Sequence, residues 1–322
     1  MKGKDYLLML LFGGLLLWGI TYFASIQPET ETPEQVQQPE SKLPKDALEF
    51  EASQIFGEPR ETKSVREREV TVEGVGTFPF DPADIQTVRP DIFRPGHFSL
   101  FDVLHHLYQQ ELVDLTYSFD ESMNTHVIER LNGEEHWWYD AYYDGGWPES
   151  SVFRMDHYPY KDGMFLAFKP LSADRLGSIE RIFREEVARR EANDGNVIIP
   201  EVIIRGRNET LRFDQVEVTA HDLRDDMLQP GVITAIDVIL SLGNAGKIRY
   251  DLKWYESIGT ADIVKSYWVE RINDDTAYDR CGFVYEAGSD VFRFFRGNHV
   301  HIPSDVRVLN SPEYVEYFWI CI

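Results

Sequence analysis

A run of aromatic residues with one central carboxylate, HWWYDAYYDGGW at residues 136–147, contains the residue types best suited to binding. Because side chains alternate along a β-strand, Trp138, Asp140 and Tyr142 are expected to share one face while the opposite face meets the core. Rings beside a carboxylate suit a protein partner or a stacked ligand. We therefore predict partner or ligand binding by Trp138, Asp140, Tyr142 and Trp147. In the alternative, another part of the chain covers this face, and the sequence leaves both open.

The sequence carries no catalytic or metal-binding signature. It lacks the GxSxG nucleophile turn, the Walker A phosphate loop and the HExxH zinc motif. His105 and His106 are adjacent on a predicted helix and point about 100° apart, so they do not form a joint metal site. His299 and His301 would share one face of a strand, but a metal needs at least one further ligand. We therefore predict a protein that is not an enzyme and that holds no metal or cofactor.

The chain has two cysteines, Cys281 and Cys321, and no CxxC pair. This spacing does not support a thiolate zinc site or a thioredoxin-type motif. Two interpretations stay open at this stage: a disulfide formed in an oxidising compartment, or two small reduced residues buried in the core.

Two segments of the chain repeat each other. FRPGHFSLFDVLHHL at residues 93–107 is matched by LQPGVITAIDVILSL at residues 228–242. In both, a Pro–Gly turn leads into an amphipathic helix that starts with [ST]-x-x-[DE], the pattern of a capping box. Further matches follow in the same order: VDLTY from Val113 with YDLKWY from Tyr250, and VIERLNG from Val127 with WVERINDD from Trp268. This collinear series predicts a duplicated domain.

Each copy has the predicted order strand, strand, helix and then several strands. One helix packed on one mixed sheet is the simplest α+β architecture for this order, so we predict β-grasp-like domains at residues 65–170 and 196–322. The intervening residues 171–195 are expected to form a helical connector with one apolar face. Three Glu–Arg pairs at i,i+4 favour that helix, namely Glu180–Arg184, Glu185–Arg189 and Glu186–Arg190.

The first copy also resembles a known family. The marks are Asn132–Gly133 before the aromatic strand and the turn Lys161–Asp162–Gly163 before the last strand. Together with the helix SLFDVLHHL, they resemble a bacterial domain family of unknown function that is similar to the C-terminal β-domain of transcobalamin and intrinsic factor. The resemblance covers the first copy; in the second, Asn273 is followed by Asp274 and the Lys-Asp-Gly turn is missing. It implies a β-grasp fold and, as an alternative function, binding of a cobalamin-like or other small ligand.

The N-terminus predicts a membrane anchor at residues 1–25. Lys2 and Lys4 precede the uncharged run Tyr6–Ala24, and about 20 such residues span a bilayer. The lysines favour a cytoplasmic N-terminus, so we expect a single-pass inner-membrane protein whose bulk is periplasmic or otherwise extracytoplasmic. Cleavage of the segment as a signal peptide stays open. Residues 26–64, rich in Pro, Glu and Gln, are expected to form an extended spacer.

The net charge of the chain bears on the classes of partner that it can bind. A net charge of −23 argues against nucleic acid, because a nucleic-acid-binding protein needs a basic surface to release counterions. Together, the anchor, the spacer, the tandem domains and the missing catalytic motifs predict a non-enzymatic accessory or scaffold subunit. We expect it to dock on a membrane protein complex or another envelope protein. The alternative is a small-ligand binding module of the cell envelope.

Overall fold

Alternating valines begin the first repeat with a β-hairpin, as the sequence period predicts. The computed structural model of the protein describes four parts of the chain, residues 68–142, 152–257, 264–293 and 302–321. The hairpin joins β1 (Glu69–Val72) to β2 (Gly76–Pro79). Val70 and Val72 are fully buried under it, and Gly74 supplies the positive φ that the turn requires.

The helix of the first repeat, α1 (Leu100–Gln109), begins at the predicted capping box. Ser99 N donates to Asp102 Oδ2 at 2.6 Å, and Asp102 N donates to Ser99 Oγ at 3.3 Å. The remaining strands of this repeat are β3 (Leu115–Asp120), β4 (Thr125–Leu131), β5 (Trp137–Tyr142) and β6 (Phe165–Pro170). The main sheet has the order β2-β1-β6-β5, with β1 parallel to β6, while β3 and β4 form a separate two-stranded sheet.

The second repeat has the same topology. Its elements are β7 (Val197–Arg205), β8 (Thr210–Val218), α3 (Ala235–Asn244), β9 (Tyr250–Tyr255), β10 (Ser266–Ile272), β11 (Asp275–Thr276), β12 (Cys281–Gly288) and β13 (Tyr314–Cys321). The main sheet has the order β8-β7-β13-β12, with β7 parallel to β13, and β9, β10 and β11 form a separate sheet. The order β2-β1-β6-β5 thus recurs strand for strand, and the duplication inferred from sequence is visible in the topology.

The two repeats share an irregularity in their separate sheets. One extra residue, Glu129 in β4 and Glu270 in β10, interrupts the register against β3 and β9. Such bulges increase the local twist of a strand pair. The strand registers also change the sequence alignment of β3 with β9. Leu115, and not Val113, is the residue equivalent to Tyr250.

The predicted fold class is wrong in the layout of the sheets. We expected one mixed sheet and one helix per domain, whereas each repeat divides its strands between two sheets. In the first repeat the chain turns sharply between β4 and β5, where Asn132, Gly133 and His136 all have positive φ. Together with the bulge, this turn directs the β3–β4 pair away from the main sheet.

The predicted membrane anchor is the second correction. Tyr6–Ala24 and the spacer at residues 26–64 lie outside the described residues. Among the helices of residues 68–142, 152–257, 264–293 and 302–321, none is long and apolar enough to cross a bilayer. The structure therefore gives no support for a single-pass anchor or for the localisation that we inferred from it.

The connector forms a single long helix, α2 (Ala173–Ala192), which is shorter at both ends than the predicted segment 171–195. Leu176, Ile179, Ile182 and Phe183 are buried on its apolar face. Of the three predicted ion pairs, Glu180–Arg184 forms, with 3.2 Å between Oε2 and Nη2. The helix is held to the repeats by other contacts, because Glu186 pairs with buried Arg154 at 2.5 Å and Arg189 donates to Ser311 O.

The repeats meet through equivalent residues. Phe93 and Leu228, which the repeat alignment matches, form an antiparallel bridge with each other. Arg94 N donates to Met227 O at 3.0 Å, and Gln229 N donates to Ile92 O at 2.8 Å, so the two bonds exchange places under the repeat relation. A contact of this kind has the form of a twofold dimer interface inside one chain. All described residues belong to one compact unit, and one continuous core cluster draws side chains from both repeats.

Candidate functional site

The aromatic strand predicted to bind a partner lies partly under the connector helix. Trp137, Tyr139 and Ala141 of β5 are buried. On the other face, Trp138 is half-buried, and its ring centroid lies 6.3 Å from that of Phe183 in α2. This contact favours the alternative in which the chain itself covers the face.

The other predicted binding residues are placed as follows. Asp140 forms an ion pair with Lys169 of the neighbouring strand β6. Tyr142 ends β5 opposite Phe165, and Trp147 lies outside the described residues. The structure therefore places Trp138 against the connector helix and pairs Asp140 with Lys169 on the same face of the strand.

The two cysteines lie opposite each other at the outer end of the second main sheet. Cys281 of β12 pairs in register with Cys321 of β13. Their sulfur atoms are joined by a disulfide, with 4.0 Å between the Cα atoms. Of the two interpretations that the sequence left open, the structure has the disulfide.

The histidines do not assemble into a metal centre where the structure describes them. His299 and His301 lie outside the described residues. Within residues 68–142, 152–257, 264–293 and 302–321, no group of three His, Cys, Asp or Glu side chains is arranged to hold a metal ion. His105 Nε2 instead lies 3.0 Å from the Tyr117 hydroxyl, as part of an aromatic row on α1 and the β3–β4 hairpin.

The most developed polar cluster of the first repeat is centred on Arg89. Its Nε and Nη2 donate to the two carboxylate oxygens of Asp91 at 2.9 and 2.7 Å, and its Nη1 donates to Asp156 Oδ2 at 2.9 Å. Further bonds reach the main-chain and side-chain oxygens of Asn124, at 3.3 and 3.1 Å. The Arg89 side chain is 4% exposed while that of Asp91 is 62% exposed, so the cluster runs from the core to the surface.

The buried carboxylate of Asp156 also accepts hydrogen bonds from residues other than Arg89. Thr125 Oγ1 donates to its Oδ1, and both His126 N and His126 Nδ1 lie 2.9 Å from its Oδ2. Burial opposes the charged form, but the hydrogen bonds from His126 and Thr125 and the charge of Arg89 outweigh it and lower the pKa of Asp156 below its ordinary value. The carboxylate is therefore ionised at neutral pH.

His157 completes the cluster as a neutral base. Its Nε2 lies 2.9 Å from Asn124 O, and its Nδ1 lies 3.3 Å from Nδ2 of Asn310 in the second repeat. Complete burial lowers the pKa of His157 well below its ordinary value, although Asp156 acts in the opposite direction. The imidazole is thus uncharged, which agrees with a buried position beside Arg89.

The second repeat holds an equivalent cluster around Arg224. Its Nε and Nη2 donate to Asp226 at 2.8 and 2.9 Å, and its Nη1 donates to Asp305 Oδ2 at 2.9 Å. The flanking rings correspond as well. The Arg89 guanidinium lies 5.3 Å from the ring centroid of Phe119, and the Arg224 guanidinium lies 5.4 Å from that of Trp254. Each repeat therefore has the same Arg–Asp–Asp framework with an aromatic ring beside it.

Each cluster is completed by one side chain that crosses from the other repeat. Asn310 reaches the Arg89 cluster, where Asn124 Nδ2 donates to its Oδ1 at 2.8 Å. Lys161 reaches the Arg224 cluster, where its Nζ donates to Val264 O at 2.9 Å. The two are equivalent, because Tyr160 N donates to Phe98 O and Leu309 N donates to Ile233 O in the preceding positions. The crossing residue is neutral in one cluster and an amine in the other.

A cavity adjoins the Arg89 cluster. Beside the Arg89 cluster lies an open cleft of about 210 Å³ between the repeats. Its walls are formed by Arg89, Asp91, Ile92, Asn124, His157, Arg190, Pro230, Gly231, Val232, Ile233, Val308, Leu309 and Asn310. We call this space the inter-repeat cleft. A separate cavity of about 10 Å³ beside Arg224 is lined by residues of the second repeat alone, so it is not the counterpart of this cleft.

Sequence reasoning missed the two arginine clusters, although the repeat carries their signal. The matched segments begin at Phe93 and Leu228. Extended four residues upstream they become RPDIFRPG and RDDMLQPG, so an Arg-x-Asp triplet is repeated at the same spacing. Asp156 and Asp305 lie far along the chain from these triplets, and only the fold brings them together.

The resemblance of the first copy to the transcobalamin-like family stays a prediction, since no protein family, no curated protein and no solved structure matches the chain.

Proposed function

We propose that the protein binds a small polar ligand in the inter-repeat cleft. The observation that carries the proposal is a cavity of about 210 Å³ between two domains, walled by side chains of both repeats and of the connector helix. Ligand sites in proteins are commonly concave, lie at domain boundaries and contain a few convergent polar groups. This function corresponds to the small-ligand alternative drawn from the sequence.

The polar side chains that line the cleft are held in place by hydrogen bonds. Arg89, Asn124 and Asn310 are fixed by hydrogen bonds to one another or to neighbouring carboxylates. Side chains that are locked by a second layer of contacts hold a ligand with less loss of entropy than mobile ones. Ile92, Val308 and other aliphatic residues also line the cleft.

A screen by thermal unfolding tests this function. A ligand present at 100 times its dissociation constant stabilises the folded state by about 2.7 kcal/mol. We expect at least one compound in a library of small polar metabolites to stabilise the protein. The stabilisation should be lost in Val232→Trp, because Val232 lines the cleft and is half-buried. Val291→Trp is the matched control, since Val291 is 53% exposed and lies elsewhere.

Two results would contradict the cleft as the site. One is a library without any stabilising compound. The other is a compound that stabilises Val232→Trp as strongly as it stabilises the wild type and Val291→Trp.

A docking role is the second candidate function, and one observation favours it. Tyr108, Leu112 and Phe119 of the first repeat are 40%, 45% and 44% exposed. Tyr108 lies 6.4 Å from Tyr117 between ring centroids, and Phe119 lies 5.1 Å from His126, so the rings form a row. Aromatic residues are enriched at protein interfaces.

We expect Tyr108→Ser with Phe119→Ser to abolish co-purification of a partner, and Trp254→Ser, on the second repeat, to retain it. A partner that is retained by the double variant would contradict docking through this row.

A further inference from the structure

The residue that follows the Pro–Gly turn differs between the two arginine clusters. In the first cluster it is Val232, which lines the inter-repeat cleft together with Asp91. In the second cluster it is His97, at the spacing that relates the two repeats. Val232 N donates to Gln229 O at 3.2 Å. His97 N donates at 3.0 Å to the oxygen of Arg94, which is the residue that the repeat matches to Gln229. The two positions are therefore equivalent in structure as well as in sequence.

In the second cluster the imidazole of His97 lies near Asp226, the residue equivalent to Asp91. Burial lowers the pKa of His97 below its ordinary value, against the attraction of the Asp226 carboxylate. The charge of Arg224 acts in the same direction as burial, and the main-chain carbonyl of Asp226 acts against them. The ring itself is half-buried. The second cluster thus accommodates a heteroaromatic N–H beside the main-chain oxygen of its exposed aspartate.

In the first cluster the corresponding space belongs to the inter-repeat cleft. It is bounded by Asp91 and Val232, and Val232 has two methyl groups where His97 has an imidazole. Both carboxylate oxygens of Asp91 are bound by Arg89, as in the other cluster. The main-chain oxygen of Asp91, however, accepts no hydrogen bond from any residue that the structure describes. A ring donor placed as in His97 would supply that bond.

Two further residues of the cleft are aliphatic where the second cluster has rings. Leu309 corresponds to Tyr160, and Ile233 corresponds to Phe98. Tyr160 and Phe98 stack on each other, with 5.1 Å between ring centroids and 10° between ring planes. The cleft of about 210 Å³ is therefore lined at three positions by aliphatic residues in place of rings. Aliphatic side chains pack well against the faces of a planar ring.

We propose that the inter-repeat cleft binds a small aromatic heterocycle with a ring N–H, of the imidazole class. The N–H donates to Asp91 O, and the ring packs against Val232, Ile233 and Leu309. The ligand thereby takes the place that the His97 side chain has in the other cluster. This inference rests on the proposed ligand-binding function and names the ligand class.

Titration of the full chain, followed through methyl signals in NMR spectra, tests the ligand class. The probes are imidazole, pyrazole and benzimidazole at about pH 8.5, where the rings are uncharged. Their N-methyl derivatives are the matched analogues, because they keep the ring and lack its N–H. The reporters are Ile92, Val308 and Leu309, which line the cleft. We expect at least one parent heterocycle to shift these signals saturably, and N-methylation to weaken its binding at least tenfold.

Reciprocal substitutions test the place of the ring. Val232→His gives the first cluster the side chain that the second one has, so we expect it to abolish binding while the thermal midpoint stays close to the wild-type value. Val291→His is the matched control, because Val291 is 53% exposed and lies outside the cleft. His97→Val removes the ring from the second cluster. We expect this variant to bind a second equivalent of the heterocycle, reported by the methyl group of Met227, the residue equivalent to Ile92.

Several outcomes would overturn this inference. They are a heterocycle that binds equally well with and without its ring N–H, one that binds Val232→His as tightly as wild type, or no binding by any of the probes. Failure of His97→Val to take up a second equivalent would contradict the comparison of the clusters, and it does not depend on the folding of Val232→His. The proposed function fails separately. A compound of another class that stabilises wild type but not Val232→Trp would keep the cleft as a ligand site after the heterocycle is excluded.

Discussion

His157 is fully buried beside Arg89, where a second positive charge is strongly unfavourable. In the unfolded chain a histidine takes up a proton near pH 6.5, whereas burial lowers the pKa of His157 well below that value in the folded protein. Below about pH 6.5 the unfolded state therefore binds more protons, and stability falls as pH falls, by up to about 1.4 kcal/mol per pH unit from this one group. We expect His157→Gln to flatten this fall when urea unfolding is measured from pH 7.5 to 5.

The control for this prediction is His136→Gln, because His136 is exposed. It should keep the wild-type dependence of stability on pH. Equal slopes for His157→Gln and wild type would show that His157 is not held neutral by the fold.

Removal of Arg89 and removal of Arg224 are expected to destabilise the protein by different amounts. Arg89→Met leaves the carboxylate of Asp156 buried without its cation, and Arg224→Met does the same to Asp305. Breaking a buried pair in this way costs about 3–5 kcal/mol. Lys161 faces Asp305 and partly replaces the lost charge, whereas the corresponding crossing residue at Asp156 is neutral. We therefore expect Arg89→Met to lower the free energy of unfolding more than Arg224→Met.

Chemical denaturation at pH 8, where histidine is neutral, checks this order. Arg130→Met serves as the control, because the side chain of Arg130 is 60% exposed and should contribute less than about 1 kcal/mol. A larger loss for Arg224→Met would contradict the compensation by Lys161.

At the scale of elements, the connector helix packs into a second, smaller core cluster of the molecule. Phe183 is 3% exposed, and its ring packs against Trp138 and against the Arg154 guanidinium, which lies 4.3 Å from its centroid. We expect Phe183→Ala to lower the free energy of unfolding by about 3–5 kcal/mol. In a double-mutant cycle with Trp138→Ala, the losses should couple by about 0.5–3 kcal/mol, as they do for residues in contact. Additive losses would place Trp138 outside the helix contact and would favour its predicted role in binding.

The disulfide acts on the outer edge of the second sheet. Cys281–Cys321 joins β12 to β13 across a sequence separation of 40 residues. Cross-links of this kind typically stabilise a protein by about 2–4 kcal/mol, mainly by restricting the unfolded chain. We expect Cys281→Ser with Cys321→Ser to lower the thermal midpoint, and reducing agent to lower that of wild type equally while leaving the double variant unchanged. A reductant-insensitive wild type would contradict this role.

Local chemistry was more predictable from the sequence than the arrangement of elements. Capping boxes and the Pro–Gly turns involve residues within a few positions of each other, so both helices were placed correctly by pattern. The sheet layout was not predictable, because it depends on positive φ at Asn132 and His136, which is uncommon for residues other than glycine. The arginine clusters were missed for a related reason: Arg89 meets Asp156 only after folding, although the repeated Arg-x-Asp triplet marks half of each cluster.

At the scale of the whole molecule, the repeats are expected to unfold together. Their buried side chains form one core cluster, and the bridge between Phe93 and Leu228 ties the equivalent turns. Leu104→Ala and Ile239→Ala remove fully buried side chains at equivalent positions of the two helices. Each should lower the midpoint of one common transition, at a cost of about 2–5 kcal/mol.

Hydrogen exchange measured on individual peptides distinguishes cooperative unfolding of the two repeats from independent unfolding. Under cooperative unfolding, Leu104→Ala should accelerate exchange in β7 and β13 as well as in β1 and β6. Acceleration confined to the mutated repeat would show that the two halves are separate thermodynamic units.

The bridge between Phe93 and Leu228 has a consequence for how this chain can diversify. When two separate identical subunits associate, every substitution appears on both sides of their contact, so a lysine introduced at one crossing position is introduced at the other. Fusion of the halves into one polypeptide removes that restriction. Position 161 can then keep an amine that bonds to Val264 O, while position 310 keeps an amide that lines the inter-repeat cleft. Two halves that descend from one sequence can thus change independently, and a substitution that suits one crossing position need not suit the other.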